Sequence, residues 1–211
     1  MHHPCGRERL AIPGPAGVLE AIAHEAEGVA QPLYGIVCHP HPLFGGTMDN
    51  KVVYTVARAL QTSGIAALRF NFRGVGASAG SYDEGVGETQ DAAAVADFGA
   101  VRWPNRRLIL AGFSFGAFVA LRLALARDAA RLISVAPPVG RFDFSELHAP
   151  ACPWLVVQGD ADDVVDPSAV IAWVKRQTPT PELRVVPGVG HFFHGHLAEL
   201  RDAVIDTLRS G

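Results

Sequence analysis

A chain of 211 residues, 49% hydrophobic and 18% charged, has the make-up of one globular domain (1–211) with a sizeable core. Its net charge of −3 leaves no basic footprint, which excludes nucleic acid as an expected partner. No apolar run reaches membrane-spanning length, and Met1-His2-His3-Pro4-Cys5-Gly6-Arg7 lacks the apolar centre of a signal peptide, so neither a membrane nor an export route is expected.

Residues 7–26 predict a strand pair: Arg9–Ile12, the turn Pro13-Gly14-Pro15-Ala16-Gly17, then Val18–Glu25. Leu33–Cys38 is a short apolar run, read as a buried strand. It enters His39-Pro40-His41-Pro42-Leu43-Phe44-Gly45-Gly46, a loop in which two prolines block strand and helix alike. Asp49 or Asn50 caps a helix to about Ser63, with Val53, Val56, Ala57 and Leu60 at helical spacing and Gly64 ending it. Ile65–Phe70 is the next buried strand and Asn71–Ser78 its exit loop. Glu88–Ala100 predicts an Ala-rich helix and Arg107–Ala111 a strand. Ala117–Arg127 predicts a helix so apolar on all sides that it belongs in the centre of the fold.

Leu132–Ala136 and Trp154–Gln158 are further strands. Pro167 opens a helix to about Arg176, Leu183–Val186 is the last strand, and a final helix runs from Gly195 or His196 to Leu208. Strands alternating with helices of this length predict an α/β architecture, a mostly parallel central sheet with helices on both faces. Active sites in such sheets gather at the carboxyl ends of the strands.

One of those ends carries Gly112-Phe113-Ser114-Phe115-Gly116, a G-x-S-x-G pattern between a buried strand and a buried helix. A sharp turn there brings two backbones together, so that a Cβ at either flanking glycine would clash. The turn lifts the Ser114 hydroxyl above the sheet edge and aims the first N–H groups of the helix at what the serine attacks. A nucleophile of this kind needs an acid and a base. Gln158-Gly159-Asp160-Ala161-Asp162-Asp163-Val164-Val165-Asp166 follows a strand and offers four carboxylates. Asp162 is the preferred acid and Asp163 the alternative, the others being placed to cap the next helix or brace the turn. Gly190-His191-Phe192-Phe193-His194-Gly195-His196 follows the last strand. Its first histidine, His191, is the expected base, and His194 and His196 are read as helix-start or surface residues.

An oxyanion hole needs two N–H donors. Phe115, just after the serine, supplies one. The second belongs on the loop after Cys38, where prolines cannot donate; this leaves His41, with Leu43 as the alternative. His39 and His41, with His194 and His196, also raise a zinc site, but no carboxylate or cysteine stands in register with them, so no metal or other cofactor is expected. The three cysteines (Cys5, Cys38 and Cys152) are widely spaced and odd in number, which predicts free thiols and a reducing, cytoplasmic setting.

Taken together, these segments resemble the α/β-hydrolase superfamily over nearly the whole chain. The resemblance rests on Gly112–Gly116, on Gly159-Asp160-Ala161-Asp162 with Val165, and on Gly190-His191. His39-Pro40-His41-Pro42 is similar to the superfamily's H-G-x-P oxyanion loop, with Pro40 in place of glycine. Asn71-Phe72-Arg73-Gly74-Val75-Gly76-Ala77-Ser78 is similar to its R-G-x-G-x-S loop, read here as scaffold, with substrate contact by Arg73 as the alternative. More narrowly, the string from His39 to Lys51 and Gly190–Gly195 resemble a group of small bacterial serine hydrolases and esterases.

That resemblance implies a serine esterase acting through an acyl-enzyme, with Ser114, Asp162 and His191 as catalytic triad. A small-molecule ester is the expected substrate, and thioester or amide cleavage would use the same residues. The alternative is a catalytically silent scaffold that binds a ligand or partner. Only Pro137–Pro153 separates the strand after the elbow helix from the next, too short for a helical cap, so an open site is expected. Phe44, Phe113, Phe115, Phe142 and Phe192 are candidates for an apolar acyl-binding surface, each of which could equally belong to the core.

Overall fold

The structure, a computed structural model, describes residues 7–209. Its strands are β1 (Arg7–Gly14), β2 (Gly17–His24), β3 (Leu33–Cys38), β4 (Ala66–Phe70), β5 (Arg107–Phe113), β6 (Arg131–Val135), β7 (Trp154–Gly159) and β8 (Glu182–Val186). Its α-helices are α1 (Lys51–Thr62), α2 (Val86–Arg102), α3 (Phe115–Ala126), α4 (Pro167–Lys175) and α5 (Leu197–Arg209). The strands form one sheet in the order β1-β2-β4-β3-β5-β6-β7-β8. Pairing is parallel from β4 to β8, and antiparallel where β2 meets β1 and β4.

The inner strands β3 to β7 are buried on both faces and accordingly largely apolar, whereas the edge strands β1 and β8 are mostly exposed or half-buried. Successive β5 residues serve opposite layers. Leu108 and Leu110 pack with α2, α3 and α4, through residues such as Val95, Val119 and Val170. Ile109, Ala111 and Phe113 pack with α1 and α5, through Val53, Val56, Leu200 and Val204. Helix α3 is buried on nearly every side, as its composition requires. No helix among the described residues is long and apolar enough to cross a membrane. Cys38 is buried and Cys152 half-buried, both as free thiols, while Cys5 and most of the amino-terminal stretch lie outside the described residues.

Three local expectations change. The first hairpin turns on Pro15-Ala16 alone, because Pro13 pairs with Val18 and Gly14 with Gly17. β1 is an edge strand, where a missing N–H is tolerated. Helix α2 begins at Val86 instead of Glu88, because the Glu88 carboxylate reaches back to accept the N–H groups of Gly85 (2.7 Å) and Asp83 (2.9 Å) and so caps the turn before it. The proline loop is not wholly irregular: Pro42–Phe44 is a single 3-10 turn, with proline at its first position and the His41 ring capping the Leu43 N–H.

Candidate active site

Ser114 stands between β5 and α3 with φ +53° and ψ −121°, a conformation that L-residues avoid. The neighbours impose it. The Ser114 N–H donates to the Val135 carbonyl on β6 (2.9 Å), while the Ser114 carbonyl accepts from Ala117 (2.8 Å) to start the helix. The two glycines make the crossing sterically possible. A Cβ on Gly112 would lie 2.1 Å from the Gly116 carbonyl oxygen, and one on Gly116 would lie 2.2 Å from the Cys38 carbonyl oxygen. The second approach presses the start of α3 onto the loop that follows β3. It thereby brings the Phe115 N–H, which has no acceptor among the described residues, toward that loop.

The carboxylate and the imidazole come from the ends of β7 and β8. Their loops are tied together by the Ala161 N–H on the Val189 carbonyl (3.1 Å) and the Gly188 N–H on Asp160 Oδ1 (2.6 Å). Asp162 Oδ1 accepts from the N–H groups of Val164 and Val165, both at 2.8 Å, which leaves Oδ2 for Gln158 Nε2 (3.0 Å) and His191 Nδ1 (2.8 Å). Burial pushes the Asp162 carboxyl up. The His191 ring and the Val165 and Val164 N–H groups outweigh that effect and hold it below the ordinary carboxylate range. With Nδ1–H donating to Asp162, His191 Nε2 accepts from the Ser114 hydroxyl at 3.1 Å. His191 itself is 3% exposed, with its ring 5.0 Å from Phe113 and 5.1 Å from Phe192. Asp163 is exposed, and Asp166 caps α4 through the Ser168 N–H.

The loop after β3 is held by His39, which is fully buried. The Phe72 N–H donates to His39 Nε2 (3.0 Å), so the proton sits on Nδ1 and goes to the Pro40 carbonyl (2.6 Å). Burial lowers the His39 pKa to about 4, outweighing the Pro40 hydrogen bond that raises it. The ring is therefore a neutral brace with both nitrogens engaged. The His41 N–H has no acceptor among the described residues, whereas the Leu43 N–H donates to the His41 ring at 3.2 Å. Of the two donors considered for the second position, His41 is the one left available. His194 is exposed and His196 Nδ1 lies 3.0 Å from Glu199 Oε1.

Arg73 turns away from the site. Its Nε and Nη2 groups and its backbone N–H all reach Asp91, which is fully buried. Sequence reading missed a second buried cation, Arg69, which donates to His24 Nε2 (2.9 Å) and to Asp49 Oδ1 (3.1 Å) beneath the same loops. An arginine inside the apolar run of β4 was the available signal. Of the five phenylalanines, Phe113 and Phe115 are core, while Phe44 and Phe192 are 86% and 44% exposed and Phe142 is half-buried.

The fold recurs in known proteins. An α/β serine hydrolase homologue from Coxiella burnetii superposes with a TM-score of 0.93 at 46% identity, covering 99% of this chain and 100% of that one. The chain belongs to the α/β-hydrolase superfamily. A Xanthomonas campestris protein described as an α/β serine hydrolase without a lid is 47% identical, with a TM-score of 0.93 and coverage of 99% and 96%. An uncharacterized protein of Rickettsia prowazekii is 37% identical over 92% of this chain and 86% of its own length. A family model described as serine aminopeptidase, S33, matches residues 43–143, a span that includes the elbow but stops short of Asp162 and His191. Residues 137–153 of this superfamily member hold turns and one isolated bridge, Val139 to Phe142, and among the described residues no helical cap lies between β6 and β7.

Proposed function

We propose that the chain is a carboxylic-ester hydrolase that works through an acyl-enzyme on Ser114. The observation that carries this reading is the unbroken series Ser114 Oγ, His191 Nε2, His191 Nδ1, Asp162 Oδ2, with contacts of 3.1 and 2.8 Å, at the carboxyl ends of three parallel strands. His191 Nε2 takes the hydroxyl proton as Ser114 Oγ attacks the ester carbonyl carbon. The Phe115 and His41 N–H groups receive the negative oxygen, and Asp162 holds the imidazolium. Collapse breaks the bond to the alcohol oxygen, which leaves with the proton from Nε2. Water then attacks the acyl group, giving one proton to Nε2, and Ser114 is regenerated with that proton as the acid departs. No step calls for a metal or a cofactor.

The open site suits accessible esters better than chemistry that needs a dry, closed pocket. The family description favours a second reading, cleavage of an amino-terminal peptide bond by the same three residues. Hydrolysis of p-nitrophenyl acetate, measured beside aminoacyl p-nitroanilides, separates the two. The ester reading expects ester turnover that disappears in Ser114→Ala, together with covalent labelling of Ser114 by a fluorophosphonate. A folded protein that neither turns over the ester nor takes the label would refute it and leave a silent scaffold.

A further inference from the structure

Gln158 is a fully buried polar residue near the end of the otherwise apolar strand β7. Its Nε2 lies 3.0 Å from the Gly159 carbonyl oxygen and 3.0 Å from Asp162 Oδ2. A carbonyl and an ionised carboxylate only accept hydrogen bonds, so the end of the amide that faces them must be the NH2. The other end, Oε1, is then buried with no partner among the described residues. An orphaned buried oxygen costs stability, and an apolar side chain of the same shape would avoid that cost. What the amide contributes therefore lies in its two donors.

The second donor matters because of the oxygen it meets. Asp162 Oδ1 is taken by the Val164 and Val165 N–H groups, and Oδ2 by Gln158 and His191 Nδ1. Two donors on each oxygen fill the acceptor sites of a carboxylate. On the triad reading above, we propose that Gln158 is a positioning residue for Asp162: its amide keeps Oδ2 charged and aimed at His191 Nδ1, so that His191 stays neutral and ready to take the Ser114 proton. The amide and an imidazolium draw on the same negative oxygen. The amide bond is therefore strongest while His191 is neutral, and weaker once an imidazolium has neutralised the pair. Without it the pair keeps its proton to higher pH, by about one unit. The charged and titratable groups around the pair are Asp160, Asp163 and Asp166 on its own loop, Arg141, which donates to the Val164 carbonyl (2.5 Å), and His194, His196 and Glu199 beyond His191. None of them bonds to the Asp162 carboxylate among the described residues, and all are shared by wild type and variant, so a displacement between the two reads Gln158.

The test is the pH profile of kcat/KM for p-nitrophenyl acetate in wild type, Gln158→Met and Gln158→Glu, with urea melts reporting that each is folded. Gln158→Met removes the donor and the orphaned oxygen together. Its acid limb should move up by about one pH unit, so that the loss relative to wild type is about tenfold deeper on that limb than on the alkaline plateau, and it should fall in kcat more than in KM. In Gln158→Glu a second carboxylate faces Asp162 Oδ2, and the limb should move further in the same direction. A residue that only staples the loop would lower stability and activity at every pH and leave the midpoint where it was. Equal midpoints in wild type and Gln158→Met would therefore overturn the inference while leaving the ester reading standing. Titration of the His191 ring by NMR, its signal assigned from its loss in His191→Gln, is the readout independent of turnover. If the wild type refuses every ester, an upward displacement of that titration in Gln158→Met still supports the role of Gln158, and superimposable titrations reject it.

Discussion

His39 Nε2 accepts the backbone N–H of Phe72 at 3.0 Å while Nδ1 donates to the Pro40 carbonyl, so one neutral ring joins the loop after β3 to the loop after β4. The His41 N–H hangs on the first of these loops. Replacing His39 with Ala leaves the Phe72 N–H buried without an acceptor, for a stability loss of about 1–3 kcal/mol. It also frees the peptide before His41. The expected outcome is a fall in kcat of about 10²-fold, the range for loss of one oxyanion donor, with a smaller change in KM. Steady-state kinetics with urea melts check both, and an unchanged kcat would detach His41 from catalysis.

The acid assignment divides two adjacent aspartates. Asp162→Asn replaces the carboxylate oxygen that fixes the His191 tautomer and should lower kcat by about 10⁴-fold with little loss of structure. Asp163→Asn alters an exposed side chain and should leave kcat unchanged. Parallel kinetics on the two variants decide the matter, and a larger loss at Asp163 would reverse the assignment.

Gly116 is constrained by a neighbour and not by its own dihedral angles. A methyl group there would sit 2.2 Å from the Cys38 carbonyl oxygen and 2.6 Å from that of His39, both backbone atoms of a central strand and its exit. Gly116→Ala must therefore push the start of α3 away from the proline loop. Loss of about 1–3 kcal/mol and of most activity is expected, with circular dichroism still showing the fold. A fully active Gly116→Ala would mean that the separation of these two backbones is not critical.

Acid should weaken the fold before carboxylates are protonated. Burial lowers His24 and His39 from 6.5 to about 4, so between those values the unfolded chain binds protons that the folded chain refuses. Stability then falls as pH drops from 6.5 to 4, by up to about 3 kcal/mol for each ring. Asp162, held below its unfolded range, contributes stability that is lost only at still lower pH, as the medium passes through its folded value. Urea midpoints between pH 7 and pH 4.5 should show an uptake approaching two protons per unfolding event, and a flat profile would contradict the neutral, braced rings.

Much of this fold was legible because its signals are local. β3 and β5 read as strands from uninterrupted apolar runs, α1 from its spacing of Val53, Val56 and Leu60, and the elbow from two glycines around Ser114. The order of elbow, acid loop and histidine loop could also be followed along the chain, since each begins where an apolar strand stops. Two of the boundaries that moved did so through side chains a few residues away, Glu88 reaching back to Gly85 and the His41 ring capping Leu43, and the third because Pro13 and Gly14 pair across the hairpin.

What only the tertiary structure decided depends on approach between distant segments. Nothing in the order of residues tells that His39 is neutral and spent on Phe72, that Arg73 faces Asp91, or that Arg69 meets His24 diagonally across the β2–β4 pair. Nor does composition separate Phe113 and Phe115, sealed in the core, from Phe142, which walls a cavity. Residue type and spacing fix how a segment lies along its own axis and which face is apolar. The partner of a buried polar group and the shape left between rings depend on how the layers pack, and packing is a property of the whole chain.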